Sequence, residues 1–194
     1  MTAAQSFKKS FYPALKVVGK WLGFNGKMVA NEQNIAPVQP IYSLTIHSNL
    51  GELVSLHTYK NRYLLIANTA SDCGYTAQYA ELQTLQDTYS GKVQVLAFPA
   101  NNFAGQEPSS DKKIAEFCGV NFGVQFPVML KSSVLGSDKN PVFNWLTDRS
   151  LNGWNSQEPG WNFCKYLIDP QGKLLGVFES AISPLDEKIT RLIR

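Results

Sequence analysis

The sequence predicts an α/β protein in which a mixed β-sheet is flanked by helices, and three stretches carry that reading. Residues 62–69, RYLLIANT, form a nearly continuous apolar run, as expected of a strand covered on both faces. A helical pattern and a second apolar run, VQVLAFP at 93–99, follow directly. Strand, helix and strand in that span make a βαβ unit, which requires parallel strands and a right-handed crossover. Near the end, residues 162–178 contain two strand patterns around the turn Asp169-Pro170-Gln171-Gly172.

Each element can be justified in chain order. Residues 5–24 place Phe7, Phe11, Leu15, Val18 and Leu22 at helical spacing, with Lys8, Lys9, Lys16 and Lys20 mostly elsewhere on the wheel and Pro13 interrupting. Such a segment either touches a membrane surface or packs on its own domain as a partly ordered arm; the second reading is favoured. Lys16 and Lys20 break the apolar run that a signal peptide would need. Residues 31–40, NEQNIAPVQP, read as a linker, so residues 1–40 are expected to be arm and linker and 41–194 the domain. The domain opens with a hairpin, IYSLTIH and LVSLHTY around SNLGE. A helix is predicted over 76–89, with Tyr79, Leu82, Leu85 and Tyr89 on one face. A polar loop then leads to a helix, DKKIAEFCGV, capped by Ser109 or Ser110. FPVML at 126–130 is a short strand or extended piece, and NPVFNWLTDRS is helical with Pro141 in its first turn. The last segment, SPLDEKITRLIR, is a closing helix with Ser183 as cap, Pro184 at its first position and two acids in its first turn. The order βαβ, inserted helices, then ββα is the plan of a thioredoxin fold with an extra N-terminal β-hairpin.

Composition narrows the function. The chain has 194 residues, 44% apolar and 17% charged, ordinary for a globular domain. No apolar run approaches the roughly 18 residues needed to cross a bilayer. Residues 1–40 carry a net charge of +4 and the remainder −1. A nearly neutral body does not suit nucleic acid, which selects a basic stripe on the domain itself. Cys73, Cys118 and Cys164 have no metal-ligand spacing, and with only two histidines a structural metal is not expected. Cysteines used for chemistry in a reducing, cytoplasmic compartment fit better than a disulfide scaffold.

Cys73 stands where the central strand gives way to the following helix. Unpaired N–H groups there make a positive field that favours thiolate. Thr76 takes the place of the second cysteine of a C-x-x-C pair, so no neighbouring thiol is ready to close a disulfide. The oxidant is therefore sought elsewhere, for example in a peroxide that converts the thiolate to a sulfenic acid.

Three stretches, NTASDCGYTAQYAELQTL (68–85), FPANNFAGQEP (98–108) and WNFCKYLIDPQGK (161–173), resemble the three signature motifs of the glutathione peroxidase family, in the family's order and spacing. The resemblance implies a thiol peroxidase whose catalytic set is Cys73, Gln106, Trp161 and Asn162, with no cofactor or metal. Amide and indole N–H groups converging on sulfur would stabilise charge as the O–O bond breaks. Trp154–Asn155 and Gln157-Glu158-Pro159 are decoys; Trp161–Asn162 are preferred because they directly precede the apolar strand, and Gln106 because it follows the second parallel strand. Ala100 stands where many members have a cysteine, and Ala104 and Ser109 replace customary glycines.

By the same resemblance Cys118 is the resolving thiol and thioredoxin the reductant, with an open site for hydrogen peroxide and organic or lipid hydroperoxides. The alternatives are a glutathione-dependent one-cysteine enzyme, a thiol redox sensor or relay, and a non-catalytic binding module. The chain is expected to be monomeric and cytoplasmic, with peripheral membrane contact through residues 5–24 left open. Cys164 is read as packing.

Overall fold

The computed structural model describes residues 26–193, so the amphipathic pattern at 5–24 lies outside the described residues. Two strands make the core of the sheet: β4 (Tyr63–Thr69), inside it, and β5 (Val93–Pro99), at one end, each buried at every position. They pair in parallel from Tyr63↔Val93 to Thr69↔Pro99, joined by α1 (Gln78–Thr88), as the βαβ pattern requires. The hairpin of β6 (Lys165–Ile168) and β7 (Leu174–Phe178) adds antiparallel strands on the other side of β4. The sheet order is β1-β7-β6-β4-β5, with β1 (Met28–Ala30) at the edge.

Helices cover both faces, which is why the central strands read as continuous apolar runs rather than alternating ones. Successive side chains of β4 still alternate between two cores. Leu65 and Ala67 face a layer formed by Tyr79, Leu82 and Leu85 of α1 and Ile114, Phe117 and Phe122 of α2 (Asp111–Phe122). Leu64 and Ile66 face Val142, Phe143, Trp145 and Leu146 of α3 (Pro141–Thr147), which α4 (Arg149–Asn152) continues. Asn140 caps α3 by accepting from the Val142 and Phe143 amides, with Pro141 at the first helical position.

Several expectations are corrected. Residues 28–30, placed in the arm by the sequence, are the edge strand paired with β7; three residues are too few to show alternation, and β7 supplies their partner. The opening hairpin is shorter than read and forms its own two-stranded sheet of β2 (Thr45–His47) and β3 (Leu53–Ser55). Its flanks, Ile41–Ser43 and Leu56–Tyr59, are 3₁₀ turns. The closing helix shrinks to α5 (Glu187–Thr190), capped by Asp186 rather than Ser183. The Ser183 hydroxyl instead donates to Glu81 on α1 at 2.7 Å. Residues 126–130 are an extended piece joined by single bridges to β5, Ala97↔Val128, and to the residue after β2, Ser48↔Met129.

Candidate active site

The site lies beyond the C-terminal ends of the two parallel strands, where their loops meet the segment before β6. Cys73 is buried. The expectation that it opens the helix needs correction, because α1 begins only at Gln78. Tight turns fill the gap, with Thr76 N–H donating to the Cys73 carbonyl at 3.3 Å and Gln78 N–H to the Tyr75 carbonyl at 2.9 Å. Sulfur is met by a local amide rather than by the helix end: Tyr75 N–H lies 3.5 Å from Sγ. Thr76, at the vacated second-cysteine position, is buried, and its hydroxyl has no hydrogen-bond partner among the described residues.

The loop after β5 docks on this turn. Asp72 N–H donates to the Gln106 carbonyl at 3.0 Å. Glu107, fully buried, accepts from the Ser71 amide and the Ser71 hydroxyl, both at 2.7 Å. Burial pushes the Glu107 carboxyl above its ordinary range, and the two Ser71 bonds pull against that shift. Glu107 therefore fastens the glutamine loop to the cysteine loop.

Asn68, at the end of β4, starts a chain of side-chain amides. Its Nδ2 donates to Asn162 Oδ1 at 3.1 Å and to the Trp161 carbonyl at 3.0 Å. Asn162 Nδ2 donates in turn to Gln106 Oε1 at 3.1 Å and, more weakly, to the Ala100 carbonyl at 3.5 Å. Asn162 thus spends its donors on the protein instead of converging on sulfur. The chain leaves Gln106 Nε2 as its outward donor. Trp161 is 39% exposed and rests on Phe103 with ring centroids 5.8 Å apart. Trp161, Tyr75 and Ala181 border an open groove of about 430 Å³.

The decoys separate cleanly. Trp154 Nε1 donates to the Leu174 carbonyl and Asn155 Nδ2 to the Leu146 carbonyl, both framework bonds. Cys118 sits in α2, buried in the same core layer as Cys73, and all three cysteines are free thiols. Burial pushes both Cys118 and Cys164 up to about 12, opposed at Cys118 by Tyr79. Gln106, Trp161 and Asn162 are thus brought together beside the Cys73 turn, whereas Cys118 stays in the core. Sequence reasoning missed Asn68 and Glu107. The visible signals were a polar residue closing an apolar strand and a carboxylate directly after the chosen glutamine.

A buried thiol at a strand-to-turn junction, with a chain of side-chain amides docked beside its turn on a mixed sheet, defines a thiol-redox protein of the thioredoxin fold. Residues 41–147 match the family model "Glutathione peroxidase". The glutathione peroxidase-like peroxiredoxin 2 of Saccharomyces cerevisiae is 40% identical over 155 residues, covering 78% of this chain and 96% of that one. The glutathione peroxidase homolog BsaA of Staphylococcus epidermidis is 39% identical over 148 residues, 76% of this chain and 93% of the other. Among solved structures, T. cruzi GPX1 superposes with a TM-score of 0.61 at 30% identity, covering 80% of this chain and 97% of that one. The chain belongs to the glutathione peroxidase family. It is a thiol peroxidase, an oxidoreductase that draws on a thiol reductant.

Proposed function

We propose that this protein reduces hydrogen peroxide and organic hydroperoxides through Cys73, with Cys118 as resolving thiol and thioredoxin as reductant. The observation that carries the reading is the amide chain Asn68–Asn162–Gln106, pinned beside the Cys73 turn by the Asp72–Gln106 bond. In the first step the Cys73 thiolate attacks the terminal peroxide oxygen. The S–O bond forms, the O–O bond breaks, and water or alcohol leaves after taking a proton. Gln106 Nε2 and the Trp161 indole supply N–H donors for the developing charge, and Asn162 orients Gln106. In the second step Cys118 displaces hydroxide from the sulfenic acid, giving a Cys73–Cys118 disulfide and water. A reductant dithiol then returns both sulfurs to thiols by exchange.

The open groove beside Trp161 would admit bulky organic hydroperoxides. Contact of residues 5–24 with lipid is a separate proposal, and unchanged vesicle binding after deletion of residues 1–25 would defeat it. One observation favours a second reading: Cys118 is buried, and burial pushes its thiol up to about 12. Its resolution step needs rearrangement, which gives an external thiol, such as glutathione or a partner protein, time to intercept the sulfenic acid.

The deciding assay is peroxide-dependent NADPH consumption, coupled separately through thioredoxin and through glutathione, for wild type, Cys73→Ser and Cys118→Ser. All turnover should vanish in Cys73→Ser. Thioredoxin-driven turnover lost in Cys118→Ser supports the two-cysteine cycle. Glutathione-driven turnover that survives that substitution makes this a one-cysteine enzyme.

A further inference from the structure

Cys118 is buried in the core layer it shares with Cys73, and its neighbours there are specific. Tyr79 of α1 is fully buried. Its ring lies 5.5 Å from Phe122 and 6.3 Å from Phe117, the two α2 aromatics on either side of Cys118 in sequence. The same ring stands edge-on to Phe163 at 5.1 Å, directly after Asn162. One side chain therefore joins the helix carrying Cys118 to the loop carrying Trp161 and Asn162.

The polar end of Tyr79 is equally telling. Its hydroxyl and that of Thr69 are buried without a hydrogen bond of good geometry among the described residues. Both nonetheless lie close enough, together with the Cys118 thiol, to perturb ionisation: the Tyr79 hydroxyl is raised well above its usual value, first by burial and then by Cys118 and Glu107. Buried hydroxyls normally find partners. A buried hydroxyl that shares its core with the Cys118 thiol and has no strong bond of its own has a use if that thiol must be held and then released.

The C-terminal end of α2 is fastened by bonds that must break before it opens. Gly123 ends the helix in the left-handed conformation, and the Val124 amide caps the Cys118 carbonyl at 3.3 Å. Gln83 of α1 accepts from the Gln125 amide at 2.8 Å, fastening the strand-side exit of that cap. Beyond Cys118, the last turn begins with Gly119 and is followed by the cap Gly123, so its release exposes little besides Phe122.

We propose that Tyr79 is a positioning residue, the latch that holds Cys118 away from Cys73, and that breaking its contacts limits the rate of disulfide closure. The inference rests on the reading of Cys118 as the resolving thiol. Chemically the latched step is the condensation already written: Cys73–S–O–H and H–S–Cys118 give S–S and water, with no further oxidant or reductant.

The test mixes reduced full-length protein rapidly with hydrogen peroxide, quenches with an alkylating agent and resolves sulfenic, disulfide and sulfinic forms by mass spectrometry. Tyr79→Phe removes the hydroxyl alone, and Phe122→Leu removes its aromatic partner. Each should speed disulfide closure by about twofold to tenfold, the range of a weak buried polar contact or an aromatic pair. Each should also lower the sulfinic fraction at high peroxide, while the rate of first oxidation of Cys73 stays unchanged. Val142→Ala, on the opposite core layer, controls for general loosening and should leave closure unaltered. Closure unchanged in both latch variants overturns the proposal, as does equal acceleration in Val142→Ala or a parallel change in the first oxidation. A wild type that forms no Cys73–Cys118 disulfide defeats instead the assignment of Cys118, and the latch falls with it.

Discussion

Gly119→Ala offers a direct reading of whether α2 must unwind. Gly119 immediately follows Cys118, lies exposed in the helix, and a methyl group there would meet nothing within 4 Å. The substitution therefore changes backbone freedom without adding contacts. Alanine favours a helix interior over glycine by about 0.5–1 kcal/mol. If residues 119–122 are uncoiled when the sulfurs meet, that gain is lost on the way, and closure slows by about two- to fivefold. Equilibrium melting should rise slightly, because the folded helix is what has been stabilised. The measurement is the single-turnover rate of Cys73–Cys118 disulfide formation, with formation of the sulfenic acid recorded in the same mixing experiment. The first oxidation should keep its wild-type rate. A raised melting temperature with closure at the wild-type rate would refute the reasoning, since the helix would then be stiffer without the reaction sensing it.

Other expectations follow from single contacts. Asn68→Ala removes the start of the amide chain; the rate of Cys73 oxidation should fall by about tenfold or more, measured by stopped-flow with hydrogen peroxide, and melting should fall as well because two acceptors, the Trp161 carbonyl and the buried Asn162 Oδ1, lose their donor. Glu107 has a folded-state pKa raised by burial, so its contribution to stability is fully present below the unfolded value near 4.5 and is lost as pH rises through the raised one. In Glu107→Gln that pH-dependent loss should disappear, so the stability difference between wild type and variant should shift against wild type as pH climbs, as read by urea unfolding at several pH values. Lys165 is buried, and its ammonium donates to Gln78 Oε1 at 2.9 Å and to the carbonyls of Glu179, Ser180 and Ile182. Lys165→Met strands those acceptors and should cost about 3 kcal/mol or more, seen as a lower denaturation midpoint.

What could be read in the sequence divides along one line, between patterns local to a segment and partners brought from elsewhere. The run at 62–69, the βαβ unit and the turn at Asp169–Gly172 were legible because burial on both faces and turn chemistry are written into consecutive residues. The same holds for Asn140–Pro141, where cap and first helical position are adjacent. The three motifs also proposed Gln106, Trp161 and Asn162, which the structure joins beside the Cys73 turn, while it spends Trp154 and Asn155 on framework bonds. The edge strand at 28–30 was not legible, because its only strand credential is the exposed side of β7. The closing helix was overread: caps and propensity suited a longer element, but the chain around Ser183 is committed to Glu81 on α1.

The sequence by itself determined the sheet's core strands and the fold class, and it singled out the candidate thiol, since each rests on residue type and short-range spacing. Only the tertiary structure decided how the site is held. Asn68, Asn162 and Gln106 come from three segments and become one amide chain only when β4, β5 and β6 are aligned. Glu107 acquires its purpose from Ser71, 36 residues away. Tyr79 reads in sequence as one apolar position on a helix face, yet in the fold it stands between the aromatic rings on either side of Cys118 and the ring that follows Asn162. The reason is physical: the strength of a buried polar or aromatic contact depends on which distant groups share its water-free environment, and no local pattern records those neighbours.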